Sequence, residues 1–258
     1  MSLAVTVTLE TVMDDAVLRS GYRPLVTEWS LPVGVLIATA ISLFWIDRAS
    51  WTYVGLGRPA ARPRLLTQGF LLGGLAIGVP SLLLLMMGEL RVVPEIRGSW
   101  VGAAGLTFAS LLPAALGEEL LLRGYIFAVL REAIGWRWTL IATSIAFGLL
   151  HVSNPGADAE SVVLVMLAGF FLGSVLLATG SLYAAVMVHF GWNWVMAAAL
   201  HTPVSGIAII APDYRVVDAG PDWLTGGTWG PEGGLAAALS MFVAVIYLYA
   251  RYLRRMEQ

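Results

Sequence analysis

Residues 161–179 read SVVLVMLAGFFLGSVLLAT, nineteen consecutive positions without a charge. As an α-helix rising 1.5 Å per residue this run is roughly 28 Å long, close to the thickness of a bilayer's hydrocarbon core. Similar apolar runs, separated by charged or Gly/Pro-rich breaks, recur near 31–47, 65–88, 100–131, 138–151, 182–200 and 235–253. The predicted fold class is therefore all-α, a polytopic transmembrane bundle of seven helices. The third run is too long for one perpendicular helix and contains Pro113. It can tilt, kink or divide, so eight helices is the alternative count.

Composition agrees with a membrane solvent. Of 258 residues, 58% are hydrophobic and only 12% charged, where a soluble domain carries about a quarter charged. Cysteine is absent, which excludes disulfides, thiolate metal sites and cysteine nucleophiles. All fifteen basic residues are arginine and they are dispersed, so no nucleic-acid partner is expected. Residues 1–30, with Asp14, Asp15 and Glu28, lack the order of a secretory signal. They are read as an extramembrane N-terminal segment ahead of a permanent anchor, and 31–258 as a single transmembrane domain.

Orientation follows from the arginines, because cytoplasmic loops retain positive charge. Arg48, Arg58, Arg62, Arg64, Arg123, Arg131, Arg137, Arg251, Arg254 and Arg255 fall on one side of a seven-span arrangement. Arg19, Arg23, Arg91, Arg97 and Arg215 fall on the other, together with Asp213, Asp218, Asp222 and Glu232. This places the N-terminus outside and the C-terminus in the cytoplasm, in a membrane of the prokaryotic plasma (inner) type. The segment 201–234 holds Pro203, Pro212, Pro221 and Pro231 and should be irregular, a lid or a connector, with Trp223 and Trp229 at the headgroups. His201, at a span end, is read as interfacial and without a role. No internal repeat is visible, which weakens an inverted-repeat transporter reading.

An ionisable side chain in hydrocarbon costs about 2.5–3.5 kcal/mol on insertion scales, so such residues are functional candidates. Here they are Glu118, Glu119 and Arg123 in the third run, His151 ending the fourth, and His189 in the sixth, accompanied by the polar amide of Asn193. Residues four apart share a helix face. Glu119 can therefore pair with Arg123, a structural ion pair, and Phe147 with His151, a packing contact. Glu118 points away and must find a partner on another helix or stay protonated, which makes it the candidate base. Counting from Arg131 and Arg137 at 1.5 Å per residue puts Glu118 and His151 at similar depth, roughly 20 Å from a turn near 132–137.

Glu118-Glu119-Leu-Leu-Leu-Arg123, Phe147-Gly-Leu-Leu-His151 and His189-Phe-Gly-Trp-Asn193 resemble the three ordered motifs of the CAAX-protease and bacteriocin-processing (CPBP, or Abi) family of intramembrane proteases. The resemblance covers about 118–200 and implies a CAAX-protease-like core at about 100–200. It implies hydrolysis of a peptide bond in a membrane-associated peptide or lipidated protein. Glu118 would act as general base on a water and His151 would hold that water. His189 and Asn193 would stabilise the oxyanion, with Glu119, Arg123 and Phe147 in support. Glu118, His151 and His189 are a zinc-competent set and equally an adequate metal-free glutamate protease, although the His-Glu-x-x-His helix of soluble zinc peptidases is absent. The same buried groups would serve a proton-coupled transporter, and an intact fold alone would serve a non-catalytic immunity or scaffold protein.

Overall fold

The computed structural model describes residues 23–208 and 212–256. Asp14, Asp15 and Arg19 lie outside the described residues. Seven long helices make up the membrane domain among those described: α1 (Arg23–Ile41, run on by a π-helical turn Ser42–Ile46), α2 (Pro63–Met87), α3 (Trp100–Arg123), α4 (Tyr125–Leu149), α5 (Ala159–Thr179), α6 (Leu182–Trp194, run on by a π-helical turn Val195–Leu200) and α7 (Leu235–Met256). Two short strands, β1 (Leu90–Pro94) and β2 (Tyr214–Asp218), pair antiparallel from Leu90 opposite Asp218 to Pro94 opposite Tyr214.

Among the described residues six stretches are long and apolar enough to cross a bilayer, and one of them, Trp100–Leu149, is 50 residues. At 1.5 Å per residue it would be roughly 75 Å if straight, more than twice a hydrocarbon core. It is not straight. Gly124 (φ −79°, ψ −125°) separates α3 from α4, and Gly135 (φ 79°, ψ 160°) breaks α4 internally. Counting this stretch as two legs gives seven passes, the number expected from the apolar runs. The division falls at glycines and not at Pro113, which sits buried within an unbroken α3. The first candidate span opens at Glu28, and its helix at Arg23, so the helix starts before the expected boundary at 31.

In lipid, helices gain little from burying apolar surface against one another, so close packing between small residues matters. Gly69 and Gly73, four apart on α2, seat that helix directly on the α6 backbone. A Cβ on Gly73 would lie 1.9 Å from the Val188 carbonyl oxygen, and one on Gly191 of α6 would lie 2.4 Å from the Phe70 carbonyl oxygen. No larger side chain fits either position unless the helices separate, and Val188 is the neighbour of His189. On the other flank Gly148 of α4 meets Val162 and Met166 of α5, while Gly169 of α5 meets Ser144 and Phe147 of α4. Ser240 of α7 donates to the Ala76 carbonyl of α2. The α5 N-terminus is closed by a capping box in which Asp158 accepts from the Ser161 amide at 2.7 Å. Those bonds hold the exposed Asp158 carboxyl below its usual range.

Loop contacts sort the connections into two ends. At one, the Leu182 amide donates to the Gly55 carbonyl, Ser181 Oγ to the Ala60 carbonyl, and Trp136 meets Tyr252 edge to face. At the other, β1 pairs with β2, and Asn154 donates to the Ser205 carbonyl. The same loops are grouped by the arginines, except that Arg123, counted with the loop residues, is fully buried in the bundle.

Candidate active site

Glu118 and Glu119 lie on the last turns of α3, whose C-terminus is Arg123. Glu119 faces inward and Arg123 follows it one turn later. Their side chains are both 0% exposed, and Arg123 Nη1 donates to Glu119 Oε1 at 3.1 Å. Arg123 Nη2 also donates to the Gly169 carbonyl at 2.9 Å, and the guanidinium lies 4.4 Å from the Phe147 ring centroid. The small size of Gly169 allows this, since a Cβ there would sit 3.2 Å from Arg123 Nη2. One buried cation is therefore met by a carboxylate, a carbonyl and an aromatic face from three helices.

His189 of α6 joins the same pair through Nδ1, 3.2 Å from Glu119 Oε1. A carboxylate bound to an arginine only accepts, so Nδ1 carries a proton and donates it. His151 lies in the turn just beyond α4, where its Nδ1 donates to the Phe147 carbonyl at 2.8 Å. The Phe147 ring packs against both imidazoles, with centroids 4.9 Å from His151 and 5.7 Å from His189. Both rings are thus held by their Nδ1 atoms, leaving both Nε2 atoms directed at one place.

That place is Glu118. Its Oε2 lies 4.0 Å from His151 Nε2 and 3.9 Å from His189 Nε2. The side chain is 30% exposed, yet Oε2 itself is buried and has no hydrogen-bond partner among the described residues. An unpartnered buried carboxylate oxygen costs free energy unless something binds it. Both imidazoles are within reach of it through one bridging water. A cavity of about 30 Å³, room enough for a water, is lined by His151, His189, Asn193 and Phe147 among others, and Glu118 is not one of its walls. Asn193 shares the face of His189, one turn further along α6.

Two tetrahedral zinc ligands with bonds of about 2.0–2.1 Å have donor atoms roughly 3.4 Å apart. The Glu118–histidine pairs are wider, at 3.9 and 4.0 Å. Among the described residues no group of three or more His, Cys, Asp or Glu side chains is spaced to hold a metal ion.

Glu118, Glu119, Arg123, Phe147, His151 and His189 are therefore in one cluster, while Asn193 is brought only to the cavity wall that it shares with Phe147 and the two histidines. Two expectations fail. Trp229 is 3% exposed, packed on Gly206 and Gly233 instead of resting at the headgroups, while Trp223 is exposed. His201 is buried, not interfacial, with Nδ1 donating to the Tyr214 carbonyl at 2.6 Å and its ring stacked on Tyr214. Both are drawn in because the 201–234 segment folds onto the bundle. The same folding brings two residues that were not singled out, Ser205 and Glu232, to the cavity wall. Nothing in a Gly/Pro-rich stretch without periodicity marks which side chains turn inward.

Residues 100–195 match the family model described as Type II CAAX prenyl endopeptidase Rce1-like. No match to the chain is found among curated proteins or among solved structures. The matched stretch contains Glu118, Glu119, Arg123, Phe147, His151, His189 and Asn193, and it lies in a chain of long apolar helices. Residues 100–195 thus form an Rce1-like domain of the CAAX-processing (CPBP) family, and the chain is an integral membrane protein of the intramembrane endopeptidase class.

Proposed function

We propose that the chain hydrolyses a peptide bond near the membrane-anchored end of a lipidated or membrane-embedded substrate, with a water activated by Glu118. The observation that carries this reading is the buried, unpartnered Glu118 Oε2 facing two histidine Nε2 atoms at 3.9 and 4.0 Å. Glu118 takes a proton from the water, and the Nε2 lone pair of His151 holds the water by its other hydrogen. As the tetrahedral intermediate forms, negative charge gathers on the former carbonyl oxygen, where fixed donors contribute most to rate. Asn193 supplies its amide. His189, when protonated on Nε2 as well, supplies a second donor while Nδ1 stays bound to Glu119. The proton held by Glu118 then passes to the leaving amine.

The direct test uses purified protein in liposomes and a farnesylated peptide ending in Cys-aliphatic-aliphatic-X, with release of the C-terminal tripeptide followed by mass spectrometry. Release is expected, and it should persist after exhaustive treatment with a zinc chelator. An unprenylated transmembrane peptide serves as the second substrate. Cleavage of neither would overturn the hydrolytic reading, and loss of cleavage on chelation that zinc restores would overturn the metal-free one.

The ends of the bundle are proposed to lie as the arginines direct, with the 48–64 loop and the C-terminus cytoplasmic. A reporter active only in the cytoplasm, fused after Gln258, should be active. Its silence beside an active periplasmic reporter at the same position would reverse the orientation.

A further inference from the structure

Glu232 is a buried carboxylate that the three motifs do not contain. It is 9% exposed and lies in the 201–234 segment, between Pro231 and Gly233. Burying a carboxylate is unfavourable unless donors surround it, and here three do. Trp192 Nε1 donates to Oε2 at 2.8 Å, while the Ser205 amide and Ser205 Oγ donate to Oε1 at 2.6 and 2.8 Å. These donors belong to two parts of the chain that carry proposed site residues or touch them.

Trp192 precedes Asn193 and follows His189 by three positions on α6. Ser205 sits in a tight turn closed by the Val204–Ile207 bridge, and its φ of +48° is one that residues other than glycine rarely adopt. The Ser205 carbonyl accepts from Asn154 Nδ2 at 3.0 Å, three residues beyond His151. Gly206, next in the turn, lies so close to this loop that a Cβ would be 2.0 Å from the Pro155 carbonyl oxygen. A continuous polar path therefore runs Asn154–Ser205–Glu232–Trp192, from the loop after His151 to the helix bearing His189 and Asn193. Ser205, Glu232 and Trp192 all line the same small cavity as these three residues.

We infer that Glu232 and Ser205 are positioning residues for the proposed hydrolysis. They form a clasp that sets the separation of His151 from His189 and Asn193 and closes the cavity on the side of the 201–234 segment. The inference rests on the hydrolytic reading. A carboxylate in a cavity invites a direct chemical role, but both oxygens of Glu232 are already engaged by the protein. The described residues of this segment are on this view a fixed wall of the site and not a mobile cover.

Glu232→Gln keeps the shape of the side chain but turns one oxygen into a donor that faces another donor, so one arm of the clasp must break. In the full-length protein, with the farnesylated peptide, kcat should fall roughly 10- to 100-fold while KM stays within about twofold, as expected for misplaced groups at the reacting bond. Trp192→Phe should lower kcat similarly, and the double variant should be no worse than the poorer single one, because both cut the same path. Amide hydrogen exchange should rise in both 151–157 and 204–207 in Glu232→Gln and stay unchanged in α2. Should that variant fail to fold, Ser205→Ala removes only the hydroxyl arm and should show the same pattern at smaller size.

Unchanged kcat, additive effects of the two substitutions, or faster exchange limited to 204–207 would each overturn the clasp. Glu118→Gln is assayed alongside. If it retains activity the hydrolytic reading falls, whereas the exchange coupling between the two loops still stands or falls on its own.

Discussion

Glu118→Gln should yield a protein that folds at least as well as the parent and cleaves the farnesylated peptide about 10²–10⁴-fold more slowly, the usual contribution of a positioned general base. The two effects have opposite signs for one reason. Oε2 of Glu118 is buried without a hydrogen-bond partner among the described residues, so the native state bears the cost of a poorly solvated carboxylate. An amide lowers that cost, since it carries no charge to desolvate, and removes the base. In free-energy terms the activity loss corresponds to about 2.7–5.4 kcal/mol in the barrier. Stability should be unchanged or higher, as is common where a site is held in an unfavourable state for chemistry. Initial rates and thermal unfolding on the same preparations check both signs. A rate within tenfold of the parent would remove Glu118 from the role of base, and a large fall in unfolding temperature would mean that its charge supports the fold.

Glu119→Ala, one residue away, should do the reverse and damage the fold itself. Arg123 is fully buried, and Glu119 is its only carboxylate partner among the described residues. Removing that partner leaves a guanidinium held by the Gly169 carbonyl and the Phe147 ring face. Breaking a buried pair from one side costs about 3–5 kcal/mol, mostly the penalty for the stranded charge. His189 loses the acceptor for Nδ1–H as well, so whatever protein survives should also be slow.

The double variant Glu119→Leu with Arg123→Leu separates these contributions. It strands no charge and should recover much of the stability, but it leaves His189 free to turn and should not recover activity. Unfolding by denaturant in detergent, with cleavage measured in parallel, reads both. A single variant less than about 1 kcal/mol below the parent would place the Glu119–Arg123 pair among ion pairs of little net worth.

Adjacent glutamates with such different expected effects show how far helix spacing could be read directly. Four-residue intervals put Glu119 with Arg123 and His189 with Asn193 on shared faces, because a helix repeats its faces whatever surrounds it, and Phe147 meets His151 although the latter lies in the turn just beyond α4. The pairing of Glu119 with Arg123 at 3.1 Å and the separate direction of Glu118 both follow from that periodicity. Depth counted along an unbroken helix to Arg131 does not hold, because α3 ends at Arg123 and Glu118 lies five residues, about 7.5 Å, from its end. His151 and Glu118 still meet, through the breaks at Gly124 and Gly135. Neither glycine announces a break more loudly than Pro113, which causes none.

What the chain determined alone was local and periodic: seven apolar legs, the faces on which costly polar groups sit, and the order of three motifs. These depend only on the rise and turn of a helix and on the exclusion of charge from hydrocarbon. What only the tertiary structure decided was which groups meet between helices. The shared place of Glu118, His151 and His189, the second role of Glu119 as partner to His189, and the entry of Ser205 and Glu232 from an irregular segment all depend on close helix approach at glycines such as Gly73 and Gly169. An approach of that kind is a property of two surfaces fitted together, and no single segment records it.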